Sequence, residues 1–339
     1  MRWQRSLLPI LWVVVCWGQT PAALDYPGAL EQARKLQAAG DPGAVVRLLT
    51  PWIEKHPDRA EARHLLGVAN FQQQNYPDAL RHLSVALKLE PEKSPAWKQT
   101  VETLAMAYYF SNRAQDALPL FEKVTTWNPG DTYFGYARAM TQVYARDLEA
   151  ARRSLAGLFD LAPDSPEALV LTADFLFREK FLAEAEKLVL EAQKKRPDLP
   201  NLHYRLALIA LTNGALAEAV KHLERELARD PTHPMVWHYL GLVHNRQGKP
   251  DQAVRFLQRS IWLNLRSLES YLQIAEAYSQ QGKYLEAEQA LQRAIDLAPQ
   301  NYEAHFSLAR IYYKTNRPEL AKQEMAIANQ LRTDSEAKR

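Results

Sequence analysis

Prolines close short helical runs at Pro57, Pro91, Pro129, Pro163, Pro197, Pro231 and Pro299, and all but one of the steps between them are 34 residues or twice 34. Leu265 and Thr333 stand where two further prolines would fall. The exception, Pro91 to Pro129, is 38 residues, which places a four-residue insertion around Glu92-Lys93-Ser94-Pro95. A second regularity runs in phase with the first: a small residue is followed twelve positions later by another. The pairs are Gly67 and Ala79, Ala105 and Ala117, Ala139 and Ala151, Ala173 and Ala185, Ala207 and Ala219, Gly241 and Ala253, Ala275 and Ala287, and Ala309 and Ala321. A length of 339 residues would ordinarily suggest about two globular domains. A period this long and this regular instead describes a stack of like units that bury their apolar faces against one another.

Each unit reads as a pair of helices. Glycine numbers only 12, Ala, Leu, Glu, Gln and Arg are abundant, and aromatics reach 10%, a balance that favours helix over strand. Turn residues break the apolar periodicity at Asp41-Pro42, Asn75-Tyr76-Pro77-Asp78, Gly214, Gly248-Lys249-Pro250, Gly282 and Asn316-Arg317-Pro318. Ser165-Pro166 has the order of an N-cap followed by a first helical residue. Two antiparallel helices approach closely only where side chains are small, so the Ala/Gly pairs mark the contact and larger residues fill the seam around it.

The spacing and the residues resemble the tetratricopeptide repeat (TPR) family over nearly all of the chain beyond its leader. In the seventh unit Trp237, Leu240, Gly241, Ala253 and Leu257 match that family's signature, with His244 in the tyrosine position and Leu265 in that of the proline. The eighth keeps Tyr271, Ile274, Ala275, Tyr278, Ala287, Leu291, Ala294 and Pro299. The first unit is the loosest, with Val45 and Trp52 where alanines are usual. The resemblance implies an all-α TPR solenoid, a right-handed superhelix of about nine antiparallel helix pairs. The repeats are expected at about 26–58, 59–92, 97–130, 131–164, 165–198, 199–232, 233–266, 267–300 and 301–332, with a polar tail over 333–339.

In stacks of this family the first helix of each pair lines the concave side. The inward stripe sits about a hundred degrees round from the small contact residue. It reads Met106, Tyr109 and Phe110, then Tyr133, Tyr136, Met140, Val143 and Tyr144, then Phe177 and Arg178, Tyr204, Arg205 and Leu208, and His238, Tyr239, Asn245 and Arg246. An aromatic stripe at helical spacing is more often core than site. Repeated over five units on an open face, however, it would exceed the few hundred Å² of apolar surface normally left exposed, and Tyr and Arg are typical of binding hot spots. The expected ligand is an extended or helical peptide segment of a partner protein. Some relatives grip a C-terminal carboxylate with lysine and asparagine. The matching stripe here holds Glu102, Met106, Tyr136, Met140, Val170, Asp174, Tyr204 and Leu208, so that clamp is not expected, although Arg205, Asn245 and Arg246 could take a carboxylate in another way.

The first 22 residues have the layout of a secretory signal peptide. Arg2 and Arg5 precede an apolar stretch from Leu7 to Trp17, and Thr20-Pro21-Ala22 offers small residues for cleavage. Eleven helical residues would span about 16 Å against the roughly 30 Å of a hydrocarbon core, so no membrane span is expected in the mature chain. A lipid anchor on Cys16 is disfavoured by the branched residues Val13-Val14-Val15 before it. Cys16 is the only cysteine, so cleavage would leave a chain without disulfides or thiolate metal sites. Export to a periplasm or cell envelope is the expectation, with secretion as the alternative, and the lack of any Asn-x-Ser/Thr sequon points the same way.

Forty-two basic and 39 acidic residues alternate along the chain for a net charge of +3, the mark of a solvated surface and not of a nucleic-acid partner. His203, His222, His233, His238 and His244 are the densest histidine group, but no His-Glu-x-x-His occurs. Neither Gly-x-Ser-x-Gly nor a Gly-Lys-Ser/Thr phosphate loop occurs. No cofactor, metal or catalytic set is therefore expected. The function anticipated is a non-catalytic scaffold that captures a protein or peptide in the aromatic groove. The alternatives are a fixed subunit of an envelope secretion, pilus or outer-membrane assembly and, more remotely, a repeat region of a glycosyltransferase.

Overall fold

The computed structural model describes residues 25–337, so the proposed leader over 1–22 lies outside the described residues. The described chain is all α-helical, with no strand among those residues. The described residues divide into two compact units, 25–159 and 160–337. In unit 1, α1 (Tyr26–Ala38) pairs with α2 (Pro42–Lys55), α3 (Ala60–Gln72) with α4 (Tyr76–Leu89), α5 (Pro95–Phe110) with α6 (Ala114–Trp127), and α7 (Thr132–Tyr144) with α8 (Leu148–Leu158). Unit 2 pairs α9 (Pro166–Arg178) with α10 (Leu182–Lys195), α11 (Leu202–Thr212) with α12 (Leu216–Arg229), and α13 (Pro234–Arg246) with α14 (Pro250–Leu263). Its last two pairs are α15 (Leu268–Gln280) with α16 (Tyr284–Leu297), and α17 (Tyr302–Lys314) with α18 (Pro318–Ala337). The polar stretch from Thr333 continues α18 as far as Ala337.

Local chemistry sets the helix ends. Asp25, Asp41, Ser94, Asp131, Asp147, Ser165, Ser267 and Asn301 accept backbone N–H bonds at N-termini, each such cap being worth about 1 kcal/mol. Between the two helices of a pair the chain turns through one left-handed residue: Gly40, Gln74, Asn112, Arg146, Lys180, Gly214, Gly248, Gly282 and Asn316.

The small residues do close the helix pairs. Ala79, Ala105, Ala117, Ala151, Ala185, Ala219, Ala253, Ala287, Ala309 and Ala321 are fully buried. A Cβ on Gly67 would sit 2.4 Å from Leu83 Cγ, and one on Gly241 2.4 Å from Leu257 Cγ. In the first pair Val45 takes the alanine's place and is fully buried. The four-residue insertion lengthens a helix instead of looping out: α5 has 16 residues where α3 and α7 have 13. The turn before it passes through left-handed Lys93 to Ser94, whose Oγ accepts from the Trp97 N–H at 3.1 Å.

In unit 1 the first helices touch in succession, α1 on α3, α3 on α5 and α5 on α7, and no two second helices pack on one another to that extent. The first helices therefore lie on the inner side of this unit's curvature.

Among the histidines whose pKa burial lowers, His82 contributes the largest acid sensitivity. His82 on α4 lies between guanidinium groups, with Arg63 Nη1 3.4 Å from Nδ1 and Arg81 Nη2 3.5 Å from Nε2. Burial first, then Arg81 and Arg63, push its pKa down to about 4, with Asp78 opposing weakly. The unfolded chain takes up a proton near pH 6.5 that the folded chain refuses until about pH 4. Stability is thus full above pH 6.5 and falls as the pH drops through that window. Urea unfolding should show a loss of up to about 2 kcal/mol from this group between pH 7 and pH 5, less what solvent screening removes, and His82→Gln should reduce that slope.

Candidate functional site

The aromatic residues of unit 1 form one continuous run across three first helices. Phe71 at the end of α3 lies 5.9 Å from Phe110 on α5, ring centroid to centroid, and Tyr76 at the start of α4 stacks on Phe110 at 5.9 Å with planes 9° apart. Phe110 meets Tyr109 edge-on at 5.1 Å, and Tyr109 reaches Tyr144 on α7 at 6.1 Å. Beneath them the fully buried Phe121 of α6 is 6.4 Å from Tyr109. Along α7, Tyr133 and Tyr136 extend the surface toward the helix N-terminus. Phe110, Tyr133, Tyr136 and Tyr144 are exposed at 45%, 59%, 38% and 41%. Four large aromatic side chains on one inner face are a larger apolar surface than a solvated helix face calls for.

Not every residue of the anticipated stripe lines that surface. Met106 and Met140 are buried in the core of unit 1 and supply packing. In unit 2 the polar members tie repeat to repeat. Arg205 makes a bidentate pair with Asp174 at 2.8 and 2.9 Å and also donates to the Asn201 carbonyl. His238 is buried, with Nδ1 3.1 Å from Ser270 Oγ. Asn245, also buried, donates to the Gln273 carbonyl at 2.8 Å. These contacts join α9 to α11 and α13 to α15, so the three side chains contribute to the repeat-to-repeat seam. Arg178 is exposed but lies over the Phe175 ring at 4.5 Å, and Phe177 beside it is half-buried. Tyr204 and Tyr239 are half-buried neighbours at 5.9 Å, and burial, with Tyr239 beside it, raises the Tyr204 pKa. Arg246 is exposed. The stripe is thus an accessible aromatic face in unit 1 and largely a packing seam in unit 2.

Two features of these faces escaped the sequence reading. Phe71 follows Gly67 by four residues, the same offset that links Tyr109 to Ala105, so the stripe rule applied one unit earlier would have found it. Between α15 and α17 lies a cleft of about 200 Å³ lined by Leu272, Glu276, Glu303, Phe306 and Arg310. No residue pattern announced it, because it depends on the packing of two helices and not on either alone.

The histidine group is dispersed in the structure. His203 and His222 bring their Nδ1 atoms to 3.1 Å, while His244 Nδ1 lies 2.8 Å from the Leu240 carbonyl. Among the described residues no group of three or more His, Cys, Asp or Glu could hold a metal ion, and no helix is long and apolar enough to cross a membrane.

A family model described as the Cilia and flagella-associated protein 70 C-terminal domain matches residues 131–339, and one described as Tetratricopeptide repeat matches residues 30–94. The PEX5-related protein of Mus musculus is 28% identical over 109 residues, 32% of this chain. The match spans only 18% of that relative's own length. Among solved structures, MamA from Desulfovibrio magneticus RS-1 is similar at 18% identity and a TM-score of 0.47, covering 50% of this chain and 97% of that one. YrrB, a TPR protein with an unusual peptide-binding site, is similar at 19% identity and a TM-score of 0.43, over 50% of this chain and 88% of the other.

Proposed function

Because the chain belongs to the tetratricopeptide-repeat family described for the Cilia and flagella-associated protein 70 C-terminal domain, a protein-interaction architecture, we propose that it is a non-catalytic scaffold that captures a partner peptide on the first-helix face of unit 1. The observation that carries this reading is the run Phe71, Phe110, Tyr109 and Tyr144, with Tyr133 and Tyr136 beside it. Of the four exposed rings, Phe110 and Tyr144 lean on the half-buried Phe71 and Tyr109, and the buried Phe121 lies beneath Tyr109. Rigid aromatic side chains lose little conformational freedom on binding and bury much area. The ordered helices beneath them pre-pay the cost of forming the site. Capture takes place in a cell envelope on this reading, with residues 1–22 as the export signal; their charge and apolar pattern support it.

A photo-crosslinking residue at Tyr133, compared with one at the exposed Glu122 on α6, tests the site in the native source. Position 133 should give a discrete protein adduct that position 122 does not. Equal adducts at both, or none at 133, would remove unit 1's inner face from the proposal.

A further inference from the structure

We propose that the end of the seventh repeat, where α14 turns into α15, makes a reversible contact with an anionic membrane surface; this goes beyond the capture reading and does not depend on it. The first observation comes from comparing the repeats with one another. The other repeats from the first to the eighth close on a proline, where the seventh has Leu265. Three residues earlier those repeats carry Glu54, Lys88, Thr126, Asp160, Lys194, Ala228 and Asp296, and the seventh has Trp262. One residue later four of them carry Asp58, Glu92, Asp164 and Asp198 and none a basic residue, and the seventh has Arg266. Trp262 and Leu265 are exposed at 66% and 68%, so neither departure from the pattern fills the core. Two apolar side chains and a reversed charge have been placed together on the surface of one repeat.

The second observation is how the patch is presented. Arg255, Arg259 and Trp262 follow at steps of four and three on one face of α14, all exposed. The Arg259 guanidinium lies over the Trp262 ring at 4.2 Å. From Gln252 to Leu268 the chain carries Arg255, Arg259 and Arg266 and no carboxylate. The helices packed on α14 are α13 and α15. Their carboxylates are the exposed Glu269 in the first turn of α15 and Glu276 two turns further along it. Asp230, before α13, accepts from Thr232, and Asp296, at the same end of α16, lies 3.6 Å from Arg293. The patch therefore keeps a positive excess. The cleft between α14 and α16 is lined by Ile261 of α14 and not by Trp262 or Leu265, so these two stand out from the surface. A fluid headgroup layer receives protruding tryptophan and leucine without a matching hole, and anionic lipid attracts the arginines around them.

The test is co-sedimentation of the full chain with vesicles of phosphatidylcholine alone or with one-third phosphatidylglycerol. Binding is expected to the anionic vesicles only, and weaker at about 0.5 M salt. Trp262→Ala, Leu265→Pro and Arg266→Asp together give this repeat the pattern of its neighbours and should reduce vesicle binding about tenfold or more. Asn264 is already extended, with φ −142° and ψ 93°, as a residue before proline must be. The same variant should leave crosslinking at position 133 unchanged. A second measurement spares the patch's other residues: an environment-sensitive dye on Leu265→Cys, in a Cys16→Ser background, should shift to the blue with anionic vesicles. The dye on Leu285→Cys, a position also 66% exposed, should not. Equal sedimentation with both vesicles, none with either, or equal dye shifts at the two positions would overturn the proposal. So would binding to polyglutamate without binding to vesicles, which would make the partner an acidic protein.

Discussion

Replacing Tyr136 and Tyr144 together by alanine is expected to weaken partner capture by about 100-fold or more while leaving the far-ultraviolet circular dichroism unchanged. Central aromatic anchors commonly contribute about 2 kcal/mol or more each, and each 1.4 kcal/mol is roughly tenfold in affinity. Folding should survive because both rings are only partly covered, 38% and 41% exposed, and their removal leaves the buried Met140, Ala137 and Val143 of α7 in place. Tyr144→Phe keeps the ring contact with Tyr109 at 6.1 Å and should retain most of the affinity. A double alanine variant that captured its partner as well as the parent would show that these rings are ordinary surface.

Glu226→Ala should be strongly destabilising in unit 2. The side chain on α12 is 2% exposed and accepts from the backbone N–H groups of Asn201 at 3.2 Å and Tyr204 at 3.0 Å. Asn201 is left-handed, with a φ of 61°, and its own side chain makes no cap bond. The carboxylate of a neighbouring helix therefore caps α11, where it also meets the positive end of the helix dipole. Its loss leaves two part-buried donors without an acceptor, at a cost of about 2 kcal/mol. Urea unfolding should register that loss, and the amides at the start of α11 should lose protection from hydrogen exchange. Glu226→Gln keeps one acceptor oxygen and should cost about half as much.

Most of the fold could be read from spacing because the helix pairs repeat: a small residue is needed at each close contact, and each turn needs a residue that tolerates the left-handed region. Gly214, Gly248, Gly282 and Asn316 announce their turns by residue type. Gln74, Arg146 and Lys180 adopt the same conformation without such a signal, since the packed helices on either side outweigh a local preference of about 1 kcal/mol. The division after Phe159 has no counterpart in the period, which runs through it unbroken. The site was legible only in part. Helical spacing gives the direction of a side chain, but whether it ends in a seam or in solvent depends on the neighbouring helix. Tyr136 and Met140 share a stripe, yet one is 38% exposed and the other 1%. Arg205 and Asn245 looked like ligand-facing groups, and their partners Asp174 and Gln273 lie 31 and 28 residues away in sequence, in adjoining repeats.

Hydrogen–deuterium exchange of the full chain, alone and saturated with the partner recovered through position 133, tests most directly whether unit 1's inner face holds the partner. Capture there should slow exchange in α5 and α7 and leave the second helices α4 and α6 unchanged. Protection confined to those second helices, or to unit 2, would contradict it.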